Sequence, residues 1–178
     1  NDWVISLDAD EALSNELKKS LIKIKNNLEG NGYKFNRLTN YCGKWVKHCG
    51  WYPDTKLRLF KKGEGGWVGK NPHDRYVLNS GKETYLKGDL LHYTFYEVSE
   101  HKAQIIKFSE IAAQSLFESN KKSNWVLIIG KTIFKFIRNY FLKFGFLDGV
   151  TGFQICRLSA HATFLRYYKL LKLQKDNV

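Results

Sequence analysis

The chain holds no methionine, three cysteines and no long apolar run, and each scarcity excludes something. Cys42, Cys49 and Cys156 are odd in number and too few for a disulfide framework, which fits a reducing compartment and argues against a secreted, stapled module. Cys42 and Cys49 flank His48, but C-x6-C with a lone histidine matches none of the paired zinc patterns. The longest apolar run, Trp125 to Ile129, stops at Gly130 and Lys131, far short of the roughly 18 residues of a helical membrane span. The first residues, Asn-Asp-Trp-Val-Ile-Ser-Leu, lack the basic start and cleavage site of a signal peptide.

Acidic residues are scarce where basic ones gather. The net charge is +12, and from Lys121 onward eleven Lys and Arg face only Asp148 and Asp176. Such a field attracts nucleic acid, anionic lipid or phosphorylated ligands, and charge alone does not choose among them. What is present in quantity is core material. With 178 residues, 43% hydrophobic and 15% aromatic, the chain is one globular domain or one and a fraction, and not a disordered or low-complexity scaffold.

Trp3-Val4-Ile5-Ser6-Leu7 reads as a strand buried on both faces. A strand of that kind needs neighbours on both sides, so the sequence is expected to be the second part of a longer protein. Asp8-Ala9-Asp10-Glu11 follows, then Ser14 as N-cap of a helix over 15–28 with Leu17, Leu21, Ile24 and Leu28 at helical spacing. Tyr33 to Leu38 alternates like a strand, and strand, acidic turn, helix, strand is an α/β order. Further strands are expected at 55–61 and 84–95, separated by glycine-rich loops of the kind that carry sites. From Ser99, read as an N-cap, the pattern is helical to the end. The helix from Trp125 to Phe144 sets Val126, Ile129, Ile133, Phe136, Ile137, Tyr140, Phe141 and Phe144 against Lys131, Lys135, Arg138 and Asn139. A turn over 145–152 leads to a last helix carrying Phe153, Phe164, Leu165, Tyr168 and Leu171.

Several constellations could carry chemistry. Asp8 and Asp10 come directly after a strand, where open α/β sheets bind ligands. Along an extended chain they point the same way, and hard oxygen donors suit Mg²⁺ or Mn²⁺ bridging a diphosphate. The plainer reading is a turn in which one aspartate caps and the other is solvated. His73, Asp74 and Arg75 share a glycine-bounded loop, where Asp74 could act as a general base towards a sugar hydroxyl or simply pair with Arg75 at the surface. His92 ends a strand and would ligate metal or phosphate, or be a satisfied, partly buried histidine. Trp51, with Trp45, Tyr52 and Trp67, offers a stacking platform for a sugar, or core packing. Arg58, with Lys56, Lys61 and Lys62, offers contacts to phosphate, or a solvated strand edge. In the basic helices the aromatics share the apolar stripe and the charges oppose it, which suits an anionic membrane surface better than nucleic acid. The competing reading is a helix that packs on its own domain with a solvated basic side.

The ordered set W-V-I-S-L-D-A-D-E, L-R-L-F, H-D, L-x-H-Y and D-G-V-T-G-F resembles the second half of bacterial family 2 glycosyltransferases, in particular the lipopolysaccharide core glucosyltransferase-like group. The resemblance implies the second half of a GT-A (nucleotide-diphospho-sugar transferase) fold over 1–97, followed by amphipathic α-helices over 98–178. It implies inverting, metal-dependent transfer from a nucleotide-sugar donor to a glycolipid or saccharide acceptor of the bacterial cell envelope. By the same resemblance Asp8 and Asp10 hold the divalent metal (Mg²⁺ or Mn²⁺), Asp74 stands where the family usually has a catalytic Glu, and His92 lies near the metal or diphosphate. Trp51, Arg58, His73 and Arg75 are substrate-binding candidates. The enzyme would be cytoplasmic, peripheral on the inner face of the membrane. A chain lacking the nucleoside-binding first half would be inactive alone, and the unpaired sheet edge would favour a homo-oligomer. The alternative is a non-catalytic module docking on anionic membrane or nucleic acid through its basic helices.

Overall fold

A computed structural model describes residues 2–69 and 75–176. The elements run β1 (Trp3–Ile5), β2 (Glu11–Leu13), α1 (Asn15–Ile24), β3 (Gly32–Tyr41), β4 (Lys44–Val46), β5 (Thr55–Lys61), β6 (Gly65–Val68), β7 (Arg75–Leu78), β8 (Glu83–Phe95), α2 (Val98–Glu118), α3 (Trp125–Ile137), a π-helical turn (Arg138–Leu142), a 3-10 turn (Gly145–Asp148) and α4 (Gly149–Asp176). The protein is mixed α/β. It divides into two compact units, one of residues 1–40 and 51–94, the other of residues 41–50 and 95–178.

In the first unit the sheet runs β1-β5-β3-β8-β2. β1 pairs antiparallel with β5 (Val4 opposite Phe60), β3 with β5, and β2 with β8 (Ala12 opposite Leu91). The buried-strand reading belongs to a different element. Among the described residues β1 is an edge strand with Val4 and Ile5 exposed, as is Leu7 just after it, whereas Arg58, Leu59 and Phe60 of β5, flanked by strands on both sides, are buried in succession. Leu17, Tyr33, Phe35, Leu59, Leu86 and Leu90 form the core, with Trp3, Leu13, Leu21, Ile24 and Leu28 packed around it.

α1 starts where its cap dictates. The Ser14 hydroxyl accepts from Leu17 N (3.2 Å) and from Asp89 N (3.1 Å), so one side chain both caps the helix and ties it to β8. Its first turn comes so close that a Cβ on Gly88 (φ +109°) would stand 2.3 Å from Leu17 N, and only glycine fits there. The helix ends at Ile24 rather than at Leu28, where the chain tightens into a turn with Asn27 N donating to Ile24 O at 2.8 Å. β6 and β7 form a separate two-stranded sheet, with Tyr76 stacked on Phe60 at 3.6 Å between centroids.

In the second unit α2 and α3 both pack on α4. Ser99 lies inside α2. The cap is Glu97, whose backbone N–H donates to the Glu100 carboxylate at 3.1 Å, while its own carboxylate accepts from Ser99 Oγ at 2.9 Å. His101 is buried against Tyr41 and Phe95, and its Nδ1 lies 3.1 Å from the Tyr41 hydroxyl. Burial lowers its pKa to about 4. No helix of the described residues is long and apolar enough to cross a membrane.

Candidate functional site

The acidic segment after β1 is a turn, not an extended run. Glu11 N donates to Asp8 O at 3.0 Å, and from Glu11 the chain enters β2. Register then decides the neighbours. Glu11 sits opposite His92 on β8, and Tyr93 N donates to Asp10 O at 2.9 Å. On the other side Ser6 N donates to Arg58 O at 2.8 Å, which places β5 against the start of the turn.

Asp8 and Asp10 therefore face different partners. The Asp8 carboxylate accepts a short charged hydrogen bond from Arg58 Nη2, and the Asp10 carboxylate lies 3.1 Å from His92 Nε2. Both remain about half exposed, at 52% and 48%. Glu11 organises the turn from inside. Its carboxylate is 0% exposed, accepts from Asp8 N and from Arg58 Nη2 at 3.0 Å each, and lies 3.6 Å from Arg37 Nη1. Arg37 is held in turn by Asp54 at 2.9 Å, and Lys56 reaches the same carboxylate at 3.0 Å.

Arg58 is the buried cation of this cluster, with its side chain 8% exposed. Burial acts to lower its pKa, but Glu11 and Asp8 outweigh that and raise it, so the guanidinium stays charged. Its Nε is buried and has no hydrogen-bond partner among the described residues. Its surroundings replace the solvated strand edge of the sequence reading. His92 has its pKa lowered, first by burial and then by Arg37, against the opposing pull of Asp10 and Glu11. The neutral ring is oriented by Thr94, whose Oγ1 lies 2.7 Å from Nδ1. The Nε2–H tautomer satisfies both neighbours, accepting from Thr94 and donating to Asp10.

Glu11, Arg37 and Thr94 are the members that sequence reasoning did not single out. Of the other candidates, Trp51 is half-buried beside Tyr52, whose hydroxyl donates to Asp89 at 3.0 Å and accepts from Asn36 at 3.2 Å. Arg75 opens β7, exposed. His73 and Asp74 lie outside the described residues.

The two exposed carboxylates of the turn are hard oxygen donors, each also engaged by a neighbour, Arg58 or His92. Among the described residues no group of three or more His, Cys, Asp and Glu side chains is placed to hold a metal ion. Asp8 and Asp10 offer two half-exposed carboxylates, which matches how Mg²⁺ is usually bound: one or two protein carboxylates, with phosphate oxygens and water completing the shell.

No protein-family profile matches the chain. It is 28% identical over 191 residues to an uncharacterized glycosyltransferase of Rickettsia typhi, which covers 100% of this chain and 65% of the relative. A Rickettsia prowazekii protein of the same description matches at 28% over the same shares. A lipopolysaccharide core biosynthesis glycosyltransferase of Rhizobium meliloti is 25% identical over 179 residues, 93% of this chain and 64% of that protein. The chain is similar to proteins named glycosyltransferases. It spans just under two thirds of the length of these three.

Two of the motifs that carried the transferase resemblance now have physical content. L-R-L-F is β5, whose Arg58 reaches the acidic turn. D-G-V-T-G-F is a structural device of the second unit. Asp148 is buried, accepts from His48 N at 2.9 Å, meets His48 Nδ1 at 2.9 Å, and its carbonyl accepts from Lys44 Nζ at 2.8 Å. Gly149 takes φ +62°, and a Cβ on Gly152 would stand 1.9 Å from Gly145 O. Both glycines are therefore required by backbone geometry.

Proposed function

We propose that this chain is the metal-binding half of a GT-A glycosyltransferase of the family 2 type, which moves a sugar with inversion from a nucleotide-sugar donor to a glycolipid or saccharide acceptor of the cell envelope. The observation that carries the reading is the convergence of the acidic turn, Arg58 and His92 in a chain similar to named glycosyltransferases. The same similarity favours a transferase over a non-catalytic docking module.

Asp8 and Asp10 would hold the divalent cation, Mg²⁺ or Mn²⁺, whose chemistry is to neutralise the donor diphosphate and stabilise the charge on the departing nucleoside diphosphate. The chain's own residues do the rest. Glu11 fixes the turn from inside and keeps Arg58 charged and in place, so the site holds a cation of its own beside the carboxylates. His92, aimed by Thr94, orients the Asp10 carboxylate. Asp74, assigned by family resemblance, takes the proton of the acceptor hydroxyl as that oxygen attacks the anomeric carbon opposite the leaving diphosphate. Trp51, His73 and Arg75 are assigned to the acceptor and donor on the same ground. The nucleoside would be bound by residues in the remaining third of such proteins, and the enzyme would work at the inner face of the membrane, where glycolipid acceptors are assembled.

The test is Asp10→Ala in the intact protein that carries this chain, assayed for transfer of labelled sugar from a panel of nucleotide sugars to envelope glycolipid. Transfer should fall by about a hundredfold or more, and chelation of divalent ions should do the same. Because Asp10 is half exposed, stability should change by less than about 0.5 kcal/mol. Transfer at the unmodified rate would sink the assignment.

A further inference from the structure

The helical unit presents a surface to which the proposed site assigns no residue. α3 lies against α4: Ile128 is fully buried, the Phe136 ring stands 5.9 Å from that of Phe153 on α4, Thr132 and Lys135 are half-buried, and Asn139 is buried in the π-helical turn. Lys135 is sunk far enough that burial lowers its pKa, with Arg138 and Arg166 adding to the effect. The opposite stripe is apolar and faces outward: Val126, Ile129, Ile133, Ile137 and Phe141 are between 43% and 83% exposed. At the middle of the stripe a Cβ on Gly130 would meet nothing within 4 Å. A helix built only to pack on its own domain keeps its apolar side chains inward; this one packs through Ile128 and Phe136 and carries a second apolar stripe outward. From Val126 to Phe141 the exposed stripe runs about 22 Å at helical rise, and Leu147 in the 3-10 turn and Val150 at the start of α4 are exposed as well. Exposed apolar patches of this extent mark an interaction site.

The charges around the stripe say what covers it. Between Lys121 and Lys175 the sole acidic residue is Asp148, and it is buried and bound to His48, so no carboxylate of that segment faces solvent. Arg138 and Lys143 are exposed beside the stripe, and Lys131 lies over the Tyr167 ring at 5.3 Å. A second copy would bring the same basic rim against itself, and like charges oppose that pairing. Nucleic acid would ask for rings along the contact face; exposed rings stand at either end, in Trp125 and Phe141, but the stripe between them is Val126, Ile129, Ile133 and Ile137. An anionic bilayer answers both features, with acyl chains for the stripe and headgroup phosphates for the rim.

We propose that the outward stripe of α3, continued by Phe141 and the following turns, inserts among the acyl chains of an anionic membrane, with the helix lying in the plane of the interface. The inference extends the membrane location in the transferase reading by naming the inserting residues; it does not require the transfer chemistry, and its test is read separately from it.

The test uses the intact protein with phosphatidylcholine vesicles, with and without phosphatidylglycerol. Wild type should sediment with the anionic vesicles. Ile129→Asp together with Ile133→Asp, both at exposed positions, should weaken binding about a hundredfold while leaving the melting temperature unchanged. If the double variant proves unstable, quenching by brominated lipid decides the matter: Trp125, at the start of the helix and half exposed, should contribute a quenched component that Trp125→Phe removes. Vesicle binding equal to wild type in the double variant, absence of Trp125 quenching, or a wild-type dimer that the double variant dissolves without lipid would each overturn the proposal. Unchanged sugar transfer in Asp10→Ala, with vesicle binding intact, would sink the metal assignment and leave this proposal standing, so the two readings fail independently.

Discussion

Glu11→Gln removes one negative charge from the acidic turn while keeping its shape, and three groups feel the loss. Arg58 Nη2 donates to Glu11 at 3.0 Å, Arg37 Nη1 lies 3.6 Å away, and Asp8 N donates to the second carboxylate oxygen at 3.0 Å. Glutamine can still accept one of these bonds, but it turns an NH2 towards another donor and leaves Arg58 balanced by the half-exposed Asp8 alone. Breaking a buried ion pair by removing one partner costs about 3–5 kcal/mol. Asp8 still contacts Arg58, so the lower end applies, about 3 kcal/mol, or roughly 6–12 °C in melting temperature for a chain of this size. The assay is urea and thermal unfolding of wild type, Glu11→Gln, Arg58→Met and the double variant. Once Arg58 is methionine, the same Glu11→Gln change should cost less than about 1 kcal/mol, because the stranded cation is gone. A Glu11→Gln cost below about 0.5 kcal/mol, or an unchanged cost in the Arg58→Met background, would refute the account of Glu11 as the carboxylate that holds Arg58.

Two further outcomes follow from backbone and burial. Gly88→Ala would drive a Cβ into the first turn of α1 and hold a non-glycine residue at φ +109°; a loss of about 3 kcal/mol or more in unfolding experiments is expected, and a near-neutral result would mean that α1 does not press on β8 as described. His101 should make the protein acid-sensitive. Its folded pKa of about 4 lies below the usual 6.5, so between those values the unfolded chain binds a proton that the folded one does not, and stability falls as pH drops through that window. The full effect is about 3 kcal/mol. His101→Phe should flatten that part of the stability–pH profile, and a wild-type slope retained in the variant would assign the sensitivity elsewhere.

Local signals carried much of the fold. Ser14, Glu16 and the spacing of Leu17, Leu21 and Ile24 announce α1, because capping and periodicity involve neighbours in sequence. β5 and β8 appear within a residue of where composition puts them. β2 was not legible as a strand: it is three residues long, and its pairing partner begins at Leu90, beyond the reach of any local pattern. That pairing brings Asp10 to His92, so the site's geometry stayed hidden although both residues stood out individually. Arg58 read as a possible surface cation for a similar reason, since strand alternation cannot show that β5 is flanked on both sides. In α3 the two stripes were plain from the sequence, but periodicity separates faces without saying which one turns to the protein. The structure resolves that through Ile128 and Asn139.

The second unit is assembled from two stretches of chain, 41–50 and 95–178, and Asp148 clamps the first of them a hundred positions away through His48. On the ribosome these stretches do not arrive together. At roughly 5–20 residues per second, the segment from Lys44 to Gly50 emerges about 5–20 s before the carboxylate that will hold it, while the residues of the first unit are all present once Thr94 is made. Cys49, a thiol buried in the finished fold, is open to chemical attack throughout that delay. Synthesis rate and thiol chemistry are thereby coupled at this one segment, and a slow codon run before Asp148 would lengthen the exposure without altering a single residue.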